Sequence, residues 1–314
     1  MSVKKQPVVL VTGNDLAPQA LELLKDFEVR FAGKSCTEDV LLALAKETDP
    51  VAIIVRYGRI GASIMDAAPS LKVISKHGSG IDVIDQKAAA ERGIAVKAAV
   101  GANAAAVAEH AWALILACAK SVPHLNDRMR EGYWDKSIHK SIELNGRTLG
   151  IVGLGEIGRR VAVTGVVLGM RVIAFDPYAN AAPDGVELVN DLHDIYRNAD
   201  VVSLHCPLTE SNRGMLHRET LGLFKNGAIL INTARGGLVD EPALAEALTN
   251  GMLYAAGLDS FAVEPMTAPH PLQQIPNAIL TPHIGGVSDA AYVSMGVGAA
   301  TNVLAVLGSV TADG

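Results

Sequence analysis

Apolar residues along this chain gather in short, nearly unbroken runs, and the segments between the runs carry apolar residues at helical spacing. Continuous apolar runs of this kind predict strands buried on both faces, the arrangement of parallel sheets. Strands are expected at 7–11, 28–31, 51–55, 71–75 and 94–96, with helices at 18–26, 38–46, 60–67 and 85–92. An Ala-rich helix is expected over 101–120, carrying Glu109 and His110 near its middle. A second series then begins, with strands at 149–152, 172–175, 201–204, 228–231, 254–258 and 278–280. Between the two series, 121–147 is more polar and includes Tyr133 and Trp134, and it reads either as an oligomer arm or as a surface loop.

The start of the second series has a distinctive layout. The run 149–152 leads straight into Gly153-Leu154-Gly155-Glu156-Ile157-Gly158, then a helix-periodic segment, then a second run that ends at Asp176. Each glycine has a physical reason to be there. Gly153 permits the tight turn, Gly155 lets backbone approach a pyrophosphate, and Gly158 lets the helix pack close to the sheet. The helix N-terminus offers unpaired N–H groups and the positive end of a dipole to phosphate. Asp176, eighteen residues after Gly158, is placed to accept hydrogen bonds from an adenosine ribose. The expected cofactor is therefore NAD (NADH) rather than NADP, because the Asp176 charge repels a 2′-phosphate. The first turn of the chain, Val11-Thr12-Gly13-Asn14-Asp15, lacks this spacing, so the first series resembles a substrate domain.

The expected fold is α/β: two doubly wound parallel-sheet domains, a flavodoxin-like substrate domain and a Rossmann NAD domain, with a cleft between them. The uncharged segment 290–312 follows a complete nucleotide unit and is expected to return to the first domain. That gives a discontinuous substrate domain of 1–99 plus 287–314 and an NAD domain of 100–286.

Composition narrows the class. Of 314 residues 49% are hydrophobic and 19% charged, an ordinary globular balance. A net charge of −6 carries no basic footprint for nucleic acid. Cys36, Cys118 and Cys206 lack metal-ligand spacing, so no metal site is expected; they read as free thiols of a reducing cytoplasm. The N-terminal run is too short for a signal segment and is read as the first strand. The segment 290–312 carries no charge over 23 residues, long enough to span a bilayer, yet it contains Ser294, Gly296, Gly298, Thr301 and Asn302 and lacks basic flanks. It is read as a core helix, with no membrane association.

Polar residues collect after the second-series strands: His205-Cys206-Pro207, Asn232-Thr233-Ala234-Arg235, Asp259 and Thr281-Pro282-His283. Ligands of open parallel sheets bind outside such carboxyl ends, so Asp176, Arg235, Asp259 and His283 are expected to rim one crevice. Hydride transfer to a carbonyl needs a proton donor and a cation for substrate charge. His283 is the candidate acid, with Glu264 as the carboxylate that keeps it protonated, and Arg235 can grip an α-keto acid by its carboxylate and carbonyl oxygens. Arg56 and His77, after first-domain strands, are substrate-side candidates. His110, His193, His217 and His270 are read as structural. No Gly-Lys-Ser/Thr P-loop, HExxH or Gly-x-Ser-x-Gly is present.

The segments HGSGIDVID (77–85), VGANAAAVAEHAWALIL (100–116), TLGIVGLGEIG (148–158), HCPLT (205–209), INTARGG (231–237), GLDSFAVEP (257–265) and LTPHIGG (280–286) together resemble the D-isomer-specific 2-hydroxyacid dehydrogenase family. The resemblance implies NAD-dependent interconversion of a small 2-keto acid and the D-2-hydroxy acid. It implies Arg235, Glu264 and His283 as catalytic residues, with His283 the proton donor. It implies cofactor contacts at Glu156, Ile157, Asp176, Pro207, Thr233, Ala234 and Asp259, and the matched segments add His205, Thr209, Arg235, His283 and Gly285. Backbone N–H groups of Gly78, Ser79 and Gly80 are implied to hold the substrate carboxylate, with Arg56, Tyr57, His77, Arg235 and His283 around it. A homodimer joined through the nucleotide domain favours the arm reading of 121–147. Tyr57 beside Arg56, and His77 before the glycine loop, depart from phosphoglycerate dehydrogenases; the chain ends without a C-terminal regulatory domain, and a hydroxypyruvate- or glyoxylate-type substrate is the expectation. The alternative is an NAD(H)-sensing binding protein of the same fold without turnover.

Overall fold

The computed structural model describes residues 6–266 and 269–308. The chain divides into two compact units: residues up to Asn103 together with those from Val287 onward, and Ala104–Gly286. The first boundary falls at Asn103 rather than at 99, because Gly101 turns the chain with a φ of 76° and the next helix starts only at Ala104. Residues 1–5 and 309–314, the latter including the end of the expected last helix, lie outside the described residues, as do 267–268.

The first unit alternates β1 (Val8–Thr12), α1 (Pro18–Leu23), β2 (Glu28–Phe31), α2 (Glu38–Thr48), β3 (Ala52–Val55), α3 (Ala62–Asp66), β4 (Val73–Lys76), α4 (Gln86–Glu91) and β5 (Ala95–Ala98). Its sheet is parallel throughout, in the order β2-β1-β3-β4-β5, the flavodoxin-like order. Every residue of β1 and β3 is buried, because helices cover both faces of these central strands. The edge strand β2 leaves Arg30 and Phe31 exposed, and the charges of Glu28 and Arg30 blunt that edge.

The second unit runs α5 (Ala104–Lys120), α6 (Val122–Arg130), β6 (Thr148–Val152), α7 (Glu156–Val167), β7 (Arg171–Phe175), β8 (Val186–Leu188), α8 (Leu192–Asn198), β9 (Val201–Leu204), α9 (Arg218–Leu221), β10 (Ala228–Asn232), α10 (Glu241–Thr249), β11 (Leu253–Leu258) and β12 (Ala278–Leu280). Its parallel sheet has the order β12-β11-β10-β9-β6-β7-β8. The sheet therefore has one strand more than the sequence indicated. Strand β8 was missed because it is three residues long, lies at an edge, and places Glu187 among its two apolar residues. The winding reverses between β6 and β9, and their carboxyl ends make the switch point where ligands bind in such sheets. The polar stretch 121–147 contains α6, which departs from α5 at 60° where Ser121 takes a left-handed φ of 52°. Val122, Met129, Tyr133, Trp134 and Ile138 are exposed along it.

The last helix, α11 (Asp289–Leu307), begins where Ser288 Oγ accepts from Ala291 N–H at 3.1 Å. It packs on α1, β4 and β5 through Ala291, Gly296, Ala299, Ala300 and Val303. A Cβ at Gly296 would stand 3.2 Å from the Ala17 methyl, so the glycine permits this close packing. By length and composition alone α11 could cross a membrane; here its small-residue face is buried on the first unit's sheet.

Candidate active site

The glycine turn joins β6 to α7. Gly153 has φ 96°, and a Cβ there would meet Cys206 N at 2.6 Å, because the loop after β9 lies against the turn. A Cβ at Gly158 would come within 2.0 Å of Gly153 O, so the first turn of α7 sits directly on the glycine turn. Gly155 is the N-cap of α7 and faces open space, with nothing within 4 Å of a built Cβ. Glu156 and Ile157 open the helix, Glu156 exposed and Ile157 half-buried. Asp176, just after β7, accepts from Leu154 N–H at 2.8 Å and from Tyr178 N–H at 2.9 Å, so its carboxylate is fixed to the turn itself.

Behind the turn, His205 N–H donates to Val152 O at 2.7 Å and its imidazole bonds Ser203 Oγ at 2.9 Å. Burial pushes the His205 pKa down to about 3, so the ring is neutral. Asn212 braces the loop that carries Pro207 and Thr209: its amide donates to Pro207 O and accepts from Thr209 N–H, both at 2.7 Å. Pro207 and Thr209 are exposed on that loop.

At the end of β10, buried Asn232 accepts from Ala234 N–H at 3.0 Å and donates to Arg235 O at 2.9 Å. This Asx-type clamp shapes the turn through Thr233 and Ala234 to half-buried Arg235, whose Nη1 donates to Ala234 O at 2.7 Å. A Cβ at Gly236 would fall 1.9 Å from the Phe261 carbonyl carbon, so the Arg235 turn abuts the loop leading to Glu264. That loop is tied in turn by Glu241 at the start of α10, which accepts from Ala262 N–H at 2.8 Å. The hydroxyls of Thr233 and Ser260, at the ends of β10 and β11, are buried with no hydrogen-bond partner among the described residues. Orphaned hydroxyls, the open Gly155 face and the anchored Asp176 fit a dinucleotide along these strand ends.

Glu264 and His283 form the site's direct pair, with Glu264 Oε2 2.7 Å from His283 Nδ1. Glu264 Oε1 accepts from Phe261 N–H at 2.9 Å. The hydrogen bond to Glu264 raises the His283 pKa above its ordinary value; burial opposes, and the charges of Glu264 and Asp259 outweigh that of Arg235. Burial pushes Glu264 up, but the bonds from His283 and Phe261 N–H, with the charges of His283 and Arg235, hold it below the usual range. The Arg235 charge acts on both members, so the structure brings Arg235, Glu264 and His283 together. His283 Nε2 has no partner among the described residues. His283 itself has φ 55°, a left-handed backbone uncommon for a residue other than glycine.

Asp259 is 2% exposed. Its Oδ1 accepts from Thr281 Oγ at 2.6 Å and from Ile284 N–H at 2.9 Å, and its Oδ2 accepts from Gly285 N–H at 2.7 Å. Rather than rimming a crevice, it is buried beneath the His283 loop. His110, read from sequence as merely structural, stands 2.9 Å from Thr281 Oγ and 3.4 Å from Asp259 Oδ1. Asn232 and Thr281 stood among the polar strand-end residues without a role of their own, and Glu241 was missed. Asn232 had a readable signal: a polar residue closing an apolar strand, two positions before a turn alanine.

In the first unit, Arg56 follows β3 and is ion-paired to Asp15. Its guanidinium carbon lies 5.4 Å from the ring centres of both Tyr57 and Tyr292. Tyr292 Oη donates to Asp15 Oδ2 at 3.0 Å, and the Arg56 hydrogen bond holds the Asp15 carboxyl below its usual range. His77 follows β4; burial, then the charges of Arg56 and Lys76, push its pKa down to about 4, and its Nε2 is buried without a partner among the described residues. Gly78 has φ 119°, and Ser79 Oγ lies 3.4 Å from Asn103 Oδ1. The described residues contain no cluster of three potential metal ligands.

A family model described as D-isomer specific 2-hydroxyacid dehydrogenase, NAD binding domain, matches residues 112–285. A hydroxypyruvate reductase from Thermotoga maritima is 39% identical over 288 residues, covering 91% of this chain and 94% of that protein. A D-3-phosphoglycerate dehydrogenase from Mycobacterium bovis is 41% identical over 313 residues; the match takes in 98% of this chain but 58% of that protein's length. Among solved structures, an NADPH-dependent glyoxylate/hydroxypyruvate reductase from Sinorhizobium meliloti, in complex with NADP and malonate, superposes with a TM-score of 0.85 at 30% identity, covering 97% of this chain and 95% of that one.

Proposed function

The chain belongs to the D-isomer-specific 2-hydroxyacid dehydrogenase family of oxidoreductases, and on that premise we propose that it interconverts a small 2-keto acid and the D-2-hydroxy acid, with NAD preferred over NADP. The observation that carries the reading is the His283–Glu264 pair at 2.7 Å, which leaves Nε2 available to a substrate oxygen. A bound nicotinamide supplies the hydride in reduction and takes it in oxidation. In reduction, His283 gives its Nε2 proton to the carbonyl oxygen as that oxygen becomes an alkoxide, while Glu264 holds Nδ1 and stabilises the imidazolium. Arg235 orients the keto acid by its carboxylate and carbonyl oxygens. Gly78, Ser79 and Gly80, with Arg56, Tyr57 and His77, select the substrate.

The NAD preference rests on Asp176, whose carboxylate is held by two backbone N–H groups and cannot swing away from a 2′-phosphate. The ion pair with Asp15 offsets the Arg56 charge, which favours an unphosphorylated substrate of the hydroxypyruvate or glyoxylate kind. We further propose a cytoplasmic homodimer: the three cysteines are free thiols, and exposed Tyr133, Trp134 and Ile138 on 121–147 suit an arm.

A panel of glyoxylate, hydroxypyruvate, pyruvate, bulkier keto acids and phosphohydroxypyruvate, followed by NADH and NADPH absorbance, tests the reading. Unphosphorylated small acids should lead, and NADH should exceed NADPH in kcat/KM by at least about tenfold, equivalent to about 1.4 kcal/mol of like-charge repulsion. Equal use of both cofactors would remove the role given to Asp176. Tight NADH binding with no turnover on any acid would instead mark an NAD(H)-sensing binding protein.

The pH dependence has a definite sign. Reduction needs the imidazolium, so kcat/KM for the keto acid should be flat at low pH and fall as pH rises through a His283 pKa above the ordinary 6.5. Oxidation needs the neutral ring and should rise across the same window. Glu264→Gln removes the largest raising contribution, so its falling limb should move to lower pH. An unmoved limb in that variant would mean that Glu264 does not set the charge of His283.

A further inference from the structure

His283 occupies a left-handed backbone conformation with φ 55°, and something must hold it there. Its own N–H donates to Thr281 O at 3.0 Å, and the next two N–H groups, of Ile284 and Gly285, both run to the Asp259 carboxylate. The loop is therefore fastened on each side of the imidazole. The fastening continues away from the site into α5. Thr281 has one hydroxyl proton, and at 2.6 Å it goes to Asp259 Oδ1. The contact of 2.9 Å between Thr281 Oγ and His110 Nε2 then requires the ring to donate. The result is a directed chain from His110 Nε2–H to Thr281 Oγ–H to the Asp259 carboxylate, which also accepts from the backbone N–H groups next to His283. The packing around it leaves little slack: a Cβ on Gly285 would meet Asp259 Oδ2 at 2.8 Å and His110 Cδ2 at 3.3 Å.

We propose that His110 is a positioning residue for His283, acting through Thr281 and Asp259 to fix the loop that presents the imidazole to Glu264 and to the substrate. The proposal rests on His283 being the proton donor only for its kinetic consequence; the positioning itself is read without substrate. Among the described residues the charged groups acting on His283 are Glu264, Asp259 and Arg235, and His110 reaches its loop through Thr281 and Asp259. His110→Leu removes the donor, His110→Gln returns an N–H donor near the Nε2 position, and Thr281→Val cuts the next link.

The test combines histidine NMR titration of the protein alone, with the His283 resonance assigned from His283→Asn, and steady-state kinetics. In His110→Leu the His283 titration should move to lower pH, because a loosened loop weakens the Glu264 bond that raises it. Its kcat should drop by about ten- to a hundredfold, the scale of a misplaced catalytic group, with KM for the keto acid and the NADH Kd within about threefold of the parent. His110→Gln should restore both readouts. His110→Leu/Thr281→Val should be no worse than either single variant, as for two links of one chain. An unmoved His283 titration in folded His110→Leu, or losses that add in the double variant, would overturn the proposal. A moved titration alongside full activity in His283→Asn would keep the positioning role and overturn the proton-donor reading instead.

Discussion

Replacing His283 with Asn is expected to lower keto-acid reduction by about two to four orders of magnitude, the range removed with a general acid, while NADH binding stays close to that of the parent. Asn is the cleaner replacement because the position has φ 55°, a region Asn tolerates better than most residues. The Ile284 and Gly285 N–H bonds to Asp259 can persist in the variant, so the cofactor-side surface is left in place. What disappears is the only member of the triad able to release a proton near neutral pH. Glu264 is held below its usual range, and a guanidinium is not deprotonated in proteins. The outcome separates into two measurements. Fluorescence titration with NADH should give a Kd within about threefold of the parent, and single-turnover reduction of the preferred acid should show the loss. Retained turnover would remove His283 as the acid, and a lost NADH signal would place it in cofactor binding.

The sequence was most legible where the physics is local. Continuous apolar runs marked the central strands because strands buried on both faces have no polar side to show, and α/β architecture followed. Strand β8 escaped for the opposite reason: three residues at a sheet edge need no apolar run. The glycine turn was legible because Gly153 must take φ 96° and Gly158 must leave room for a carbonyl within 2.0 Å of a Cβ, and only glycine meets both demands. The supports of the site were not legible. His110 and Thr281 are 171 positions apart, and Asp15 and Arg56 are 41 apart. No periodicity joins such pairs; they meet because sheet register and helix packing bring them together. Asp259 illustrates the limit most clearly. A carboxylate after a strand reads as a ligand contact, and only the structure reveals that this one also accepts from Thr281, Ile284 and Gly285.

Arg235 yields the second large expected effect, and its variants distinguish charge from shape. Arg235→Met should reduce kcat/KM for the keto acid by about two to three orders of magnitude, since losing one partner of a desolvated charge pair costs about 2–5 kcal/mol. Arg235→Lys keeps the charge but loses the planar fork, so it should recover only a minor part of that loss. The Asn232 clamp survives in either variant, because its bonds to Ala234 N–H and Arg235 O involve no side-chain atom of residue 235; what the turn loses in Arg235→Met is the Nη1 bond to Ala234 O. A second readout follows from the electrostatics. The Arg235 charge opposes protonation of His283 and helps hold Glu264 ionised. Removing it should raise the His283 pKa, so the falling limb of the reduction profile should move to higher pH in Arg235→Met and stay near the parent in Arg235→Lys. That shift is opposite in sign to the one expected for Glu264→Gln, and a merely destabilised fold has no reason to produce the pair. If Arg235→Met lowered activity with its pH limb unmoved, the arginine would act on substrate alone, set apart from the His283–Glu264 pair. If Arg235→Lys matched the parent in kcat/KM, a point charge would suffice, and the two-oxygen grip on the keto acid would be wrong.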